Sequence, residues 1–382
     1  MKILILDTMY PKFLKAAGFS TTPNSFSTYS EALSVLMKSR FGVSDSYSVF
    51  LGQLGHEVSE VIANSYLLQT LWSRDHLSQP IRAWAGGIPG SVLSRVPFTG
   101  KISHFLPSLQ RILLKQVEQF RPDVLYVQDL NFCSPELYSE LKKSARYLVG
   151  QIASPLPSPK TIASFDLILS SLPNFVAKFR DWGVNSEYLP LGFDSRVSLE
   201  VPEANRDIPV SFVGGISRYH GNTIPLLSEV ASEAPGLEIY GYGSNFIDKV
   251  PSLNKLHKGE AWGLEMYKVL RRSRVTLNRH ISISENYANN MRLYEATGMG
   301  ALLITDKKSN LNEIFEIDRE VLAYSSPTEA KELVRWAAEN PAEARSIAEA
   351  GNRRTLGNYT YESVLAQLEG ILSKLLSGKN RE

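Results

Sequence analysis

"VTLNRHISISENYANNMRLYEATGMGALLIT", residues 275–305, holds a strand, a polar loop, a helix and a second strand in one run. The β-branched start reads as a strand over 274–278, and "ALLIT" as another over 301–305. The segment 288–297 between them reads as a helix, with Gly298 and Gly300 turning the chain into the second strand. A strand–helix–strand run of this length is the unit of a parallel sheet. Arg292 and Glu295, three residues apart, project from one side of that helix. They form either a solvated ion pair worth a few tenths of a kcal/mol or the charged tip of a helix lining a ligand site.

The same alternation runs outward in both directions. Upstream, "ILIL" (3–6), "EVSEVIA" (57–63), "DVLYVQ" (123–128), "RYLVGQIA" (146–153) and "DLILSS" (166–171) read as strands. Helical patterns lie at 30–41, 48–55, 106–120 and 174–183; Leu106, Leu109, Ile112, Leu113 and Val117 keep the helical period, and Pro122 stops that helix. Segment 72–105 reads as irregular. The proline-containing, aperiodic stretch 191–209 reads as a linker. After it come strands at 210–215, 237–241, 274–278, 301–305 and 321–324, with helices at 222–233, 262–272 and 288–297 and a short one after Asn310. Three helices at about 327–339, 341–354 and 361–376 close the chain. The expected fold class is α/β: two Rossmann-like, doubly wound domains with a helical C-terminal tail. The ligand position expected of such sheets is the crevice at the carboxyl ends of the strands.

With 382 residues the chain exceeds one typical domain, and 43% hydrophobic residues suffice for full cores. The 41 basic residues against 39 acidic ones leave a net charge of +2, too balanced to point to nucleic acid. The densest basic run, "KVLRRSR" (268–274), reads as a solvated helix end. One cysteine, Cys133, excludes an intramolecular disulfide framework and a cysteine-based zinc site. The apolar run after Lys2 is too short for a signal peptide, and no window has the length of a membrane span. A cytoplasmic protein is expected, with the inner face of a membrane as the alternative location.

Several motifs point to chemistry. "SFVGGISRYHGNT" (211–223) is a strand running into Gly214 and Gly215 and then a helix, with Arg218 and His220 where a diphosphate could be met. It has neither Walker A nor dinucleotide spacing. "IYGYGSNF" (239–246), with Tyr242, lacks the third glycine of a dinucleotide fingerprint, so a nicotinamide oxidoreductase is disfavoured. Asn278, Arg279 and His280 gather at one strand end, next to the helix carrying Arg292 and Glu295. A carboxylate at Glu295 could accept hydrogen bonds from ribose hydroxyls, and Arg292 could pair with it or meet a phosphate.

Residues 259–280, "GEAWGLEMYKVLRRSRVTLNRH", followed by "NMRLYEATGMGALLIT" and "EAGNRRTLGNYTYESVLAQL" (349–368), resemble the glycosyltransferases of the spore maturation protein CgeB type. Their C-terminal domain is like that of the large group-1 glycosyltransferases. The resemblance covers about 210–370 and is looser over 1–190. It implies a GT-B fold: an acceptor-side domain (1–190), a linker (191–209), a nucleotide-sugar domain (210–360) and a final helix (361–382) crossing back to the first domain. By residue it implies Glu295 on the ribose, Gly214 and Gly215 by the diphosphate, and Arg292 and His280 near phosphates or sugar. The group-1 pattern has a further glutamate eight positions before the ribose glutamate. Here that position is Tyr287, with Glu285 shifted by two.

The implied activity is transfer of a sugar from a nucleoside-diphosphate sugar to an acceptor hydroxyl on a glycan, a lipid-linked carrier or a protein. Retention is the favoured outcome, with no cofactor. The sequence shows no DxD triplet or ligand-spaced His/Cys cluster, so helix N-termini and cations are expected to offset the leaving-group charge. Arg218, Arg279 and Arg292 are the candidate phosphate contacts. Asp129 is the candidate base if the enzyme inverts, with Asp7 and Asp45 behind it, and His280 is a second catalytic candidate. A nucleotide-sugar epimerase and a non-catalytic nucleotide or sugar binder are the competing classes. Removal of Glu295 is expected to leave the fold intact.

Overall fold

The computed structural model describes residues 1–19, 26–83, 107–216, 223–234 and 236–378. The chain divides into two compact units, Met1–Leu189 and Pro190–Glu382.

In the first unit six strands form one parallel sheet in the order β2-β1-β3-β4-β5-β6. They are β1 (Lys2–Asp7), β2 (Glu57–Ile62), β3 (Val124–Val127), β4 (Tyr147–Gln151), β5 (Leu167–Ser170) and β6 (Ser186–Tyr188). Every residue of β3 and β5 is buried, which is why their sequences are continuous apolar runs rather than alternating ones. Between them run helices such as Pro107–Phe120 and Pro173–Asp181, close to their expected limits. Tyr66–His76 and Pro135–Lys142 are among the helices that escape the periodicity reading. Tyr66–His76 begins at Ser65, whose side chain accepts from the Leu68 N–H, and buries Leu67, Leu68, Leu71 and Trp72. Pro135–Lys142 begins at Ser134 with a proline at its first position, a start signal legible in the sequence.

The second unit has five parallel strands in the order β11-β10-β9-β7-β8. They are β7 (Ile208–Val213), β8 (Leu237–Tyr240), β9 (Ser273–Leu277), β10 (Leu302–Asp306) and β11 (Leu322–Tyr324). Helices cover both faces. Leu226, Leu227 and Val230 join Val275 and Ile304 in one cluster, and Tyr267, Leu293 and Tyr294 join Val213 and Leu303 in the other. The helices Pro327–Glu339, Pro341–Asn358 and Tyr361–Leu376 follow the last strand.

Residues 190–207 pack within this second unit. Phe193 and Thr360 form a parallel bridge, with the Phe193 N–H donating to Tyr359 O (2.7 Å) and Tyr361 N–H to Phe193 O (3.0 Å). The Phe193 ring lies against Gly298, where a Cβ would stand 2.6 Å from it, so no larger residue fits there. Gly300 has the different task of turning the chain at φ +74°. The basic run 268–274 is also not simply a solvated helix end. Arg271 is buried and bonds Glu203 (2.9 Å), Arg272 holds Asp207 through two nitrogens, and Arg274 donates to Arg206 O. These cations pin 198–207 to the helix Leu264–Arg272.

In each sheet the strand order reverses once, between β1 and β3 and between β7 and β9, and such points are where open α/β sheets bind ligands. The helix Pro341–Asn358 approaches the turn before β11 so closely that a Cβ on Gly351 would stand 2.3 Å from the Glu320 carbonyl oxygen. Backbone cannot swing aside as a side-chain tip can. Gly351→Ala is therefore expected to cost about 1–3 kcal/mol in urea denaturation, whereas Gly357→Ala, with open space around it, should cost far less.

Candidate functional site

At the β7 end of the second switch point, backbone packs directly on backbone. The Gly214 N–H donates to Tyr240 O (2.9 Å) and the Ile216 N–H to Tyr242 O (2.9 Å). A Cβ on Gly241 would stand 1.9 Å from Gly214 O, and one on Gly243 2.0 Å from Ile216 O, both at positive φ. Gly241 and Gly243 thus let two strand-end loops lie in contact. The Tyr242 ring lies over Gly215, whose Cβ would stand 2.1 Å from it, and stacks on Trp262 at 5.8 Å with planes 5° apart. Both rings are half-buried. Arg218 and His220 lie outside the described residues.

The helix opened by Asn290, Met291–Gly298, holds the pair that the sequence left open. Glu295 is 4% exposed, so the solvated-surface reading fails. Arg292 Nη1 lies 2.8 Å from Glu295 Oε2, in ionic contact but outside hydrogen-bond direction. Its Nε donates to Val213 O (3.0 Å), the last carbonyl of β7, and Tyr267 OH donates to Glu295 Oε1 at a long 3.4 Å. A buried pair broken on one side leaves an uncompensated charge. Glu295→Ala would therefore destabilise the unit, contrary to the expectation that it leaves the fold intact.

Asn278 serves a different purpose from the one expected. Its Nδ2 donates to Thr305 Oγ1 (3.0 Å) and Asn290 Oδ1 (3.3 Å), and its Oδ1 accepts from Asn290 Nδ2 (3.0 Å). Tyr324 OH donates to its carbonyl (2.8 Å). All its polar groups are engaged in tying β9, β10 and β11 to the cap of the Arg292 helix, so it shapes the site from behind. Arg279, half-buried at the same strand end, makes no side-chain hydrogen bond or ion pair among the described residues. His280 is buried and its Nδ1 lies 2.6 Å from Asp306 Oδ1. Burial alone would raise the Asp306 pKa, but the hydrogen bonds from His280 and the charge of Lys308 prevail and hold it at about 2. Asp306 was missed by the sequence reading, although it ends the strand beside the one carrying His280. Among the described residues, buried Arg292 Nη1, His280 Nε2 and Thr223 Oγ1 lack hydrogen-bond partners at this end of the sheet.

Asp129 lies in the first unit, two residues past β3. It accepts from Thr8 Oγ1 (2.8 Å) and the Asn131 N–H (3.0 Å), and burial outweighs these bonds to raise its pKa. Asp7, ending β1, accepts from the Thr8 N–H (2.7 Å). Burial raises its pKa to about 7, with Asp129 adding to the rise. Glu60 on β2 is raised to about 8, again mainly by burial. Asp45 pairs with Arg40 at 2.5 Å. Among the described residues no group of three or more His, Cys, Asp or Glu is placed to hold a metal ion, and no helix is long and apolar enough to cross a membrane.

A family model described as glycosyl transferase-like matches residues 223–370, the greater part of the second unit. A search of curated proteins by sequence finds no match. Solved structures match along nearly the whole chain. The sucrose-phosphate synthase of Thermosynechococcus elongatus is 12% identical with a TM-score of 0.63, over 99% of this chain and 100% of that one. Anabaena HepE in complex with UDP-glucose is 14% identical with a TM-score of 0.61, over 98% and 100%. A Listeria monocytogenes protein provisionally named UDP-N-acetylglucosamine 2-epimerase is 12% identical with a TM-score of 0.57, over 100% and 98%. At such identities the likeness establishes the fold, which is GT-B, as the sequence resemblance implied.

The raised carboxyl groups of the first unit make its stability depend on pH. Above about pH 4 the folded chain keeps protons that the unfolded chain has released, on Asp7 up to about pH 7 and on Glu60 up to about pH 8. Their contribution is complete below the ordinary carboxyl range and is lost as pH rises through about 7 and 8. Urea midpoints should therefore fall from pH 5 to 8.5, and Asp7→Asn with Glu60→Gln should flatten that fall.

Proposed function

We propose that the chain is a glycosyltransferase that takes a nucleoside-diphosphate sugar as donor, bound at the β7/β9 switch point of the second unit. The observation that carries this reading is the buried Arg292–Glu295 pair anchored to the last carbonyl of β7. The glycosyl transferase-like match over 223–370 and the UDP-glucose bound by the structurally similar HepE support it.

In this reading the nucleobase lies against the half-buried aromatic pair Tyr242 and Trp262. Glu295 Oε1, whose bond from Tyr267 is long, retains a lone pair for a ribose hydroxyl. The diphosphate meets Arg279, Arg292 and the N-terminus of the helix Met291–Gly298, whose dipole favours an anion. As the anomeric C–O bond breaks, charge builds on the departing β-phosphate oxygen. The same cations stabilise it there, Arg292 being held in place before reaction by Val213 O and Glu295. The acceptor oxygen bonds to the anomeric carbon and releases its proton. In a retaining transfer that proton goes to the departing phosphate oxygen; in an inverting one Asp129 is the candidate base. No step in this scheme calls on a metal ion.

Thermal unfolding of the full chain, with and without a chelator, against a panel of nucleoside diphosphates and their sugars tests the reading. One diphosphate should raise the melting temperature, with the chelator making no difference. Glu295→Gln, which keeps the shape but not the charge, should weaken that ligand by about 10- to 100-fold, the worth of a charged hydrogen bond. Unchanged affinity in the variant would remove Glu295 from the ribose. No shift with any nucleotide would remove the reading itself.

A further inference from the structure

The sheet order lays out the proposed ligand in one direction. From β8 through β7 and β9 to β10 is three strand spacings, about 14 Å, comparable to an extended nucleotide sugar. The Tyr242 aromatic surface follows β8, and the Arg292–Glu295 pair and Arg279 stand at β7 and β9. The next groups along are His280, just past β9, and Asp306, the last residue of β10. Whatever lies at that end of the ligand is the part beyond the diphosphate.

His280 is built to offer one acceptor there. Its side chain is fully buried, and its ring is fixed by Asp306 Oδ1, which accepts from Nδ1 (2.6 Å) and also from the His280 backbone N–H (3.0 Å). A carboxylate on Nδ1 holds the proton on that nitrogen and leaves Nε2 with a free lone pair. Nε2 is buried and has no partner among the described residues. The loop above is fixed too: Lys308 Nζ donates to Glu285 O (2.8 Å) and Ser309 to Asn286 O, while Asn310 bonds both backbone groups of Ala288. A buried acceptor in a rigid setting needs a donor from elsewhere. Diphosphate oxygens are acceptors, whereas sugar hydroxyls donate.

We propose that His280, oriented by Asp306, is a donor-sugar residue whose Nε2 accepts a hydrogen bond from one hydroxyl of the transferred sugar. The proposal rests on the donor site described above. His280 would thereby contribute to choosing among sugars on the same nucleotide, and Asp306 would act as its positioning residue.

The test is calorimetric titration of the full chain with UDP, UDP-glucose, GDP and GDP-mannose, carrying forward the pair that binds. Failure of the wild-type chain to bind any of them would overturn the donor-site reading, and this inference with it, before any variant is made. His280→Asn keeps an N–H for Asp306 and deletes the Nε2 position. It should leave nucleoside-diphosphate affinity within twofold and weaken the nucleotide sugar tenfold or more. Of the singly deoxygenated sugar analogues, one should bind the wild type about tenfold more weakly and lose nothing further in the variant. Asp306→Asn, which lets the ring exchange its tautomer, should give the same selective loss. Equal weakening of nucleotide and nucleotide sugar, or no weakening of either, would reduce the dyad to a structural role. Should neither variant fold, the analogues decide on the wild type alone: full affinity for all of them overturns the proposal.

Discussion

The bond from Arg292 Nε to the Val213 carbonyl is the constraint on which the second unit's site depends. It joins the last residue of β7 to the helix that follows β9, across the point where the strand order reverses. A guanidinium in that position needs a counter-charge, which Glu295 supplies from the same helix face. Glu295 in turn needs polar neighbours, and Tyr267 provides one from the helix Leu264–Arg272. Three elements are thus tied through one pair, and Phe193 under Gly298 fixes the far end of the same helix. Desolvating two charges is costly, so such a pair is weak evidence for stability alone. Its position at a ligand-binding end of the sheet accounts better for its presence.

The second unit shows how glycine and asparagine build a cleft floor by opposite means. Glycines 241 and 243 remove side chains so that backbone meets backbone, and Gly215 does so that an aromatic ring can cover it. Asn278, Asn290 and Asn310 fill the remaining backbone and side-chain hydrogen bonds, so that loops without regular structure still have their polar groups paired. Arg279, His280 Nε2 and Arg292 Nη1 are left over from this pairing. The first unit concentrates its unusual chemistry at its own reversal point. There burial holds Asp7 and Asp129 above the ordinary carboxylate range, as it does Glu60 on the neighbouring strand β2.

Most strand positions were legible because parallel strands buried on both faces must be apolar throughout, as β3 and β5 are. The helices 327–339 and 361–376 were legible to the residue because Ser326 and Thr360 cap them visibly. The helix Tyr66–His76 was lost because its apolar residues cluster at its start and its charged end merges with an irregular stretch. For the site, strand-end position drew attention to Arg279, Arg292 and Glu295, which the structure gathers at the β7/β9 switch point. It could not separate a residue facing a ligand from one engaged behind it, which is why Asn278 stood in the same list. The Asp306–His280 contact joins residues 26 apart in sequence and shows only once β9 and β10 are known to be neighbours. The basic run 268–274 misled because its partners, Glu203 and Asp207, lie in a stretch that reads as a linker.

Amide hydrogen exchange of the full chain with and without UDP tests the central claim most directly, since it locates the ligand rather than merely detecting it. The account predicts added protection at 213–216, 241–243, 278–281 and 290–295, the ends of β7, β8 and β9 and the start of the Arg292 helix. Binding of UDP with protection confined to other segments, or to the first unit alone, would contradict it.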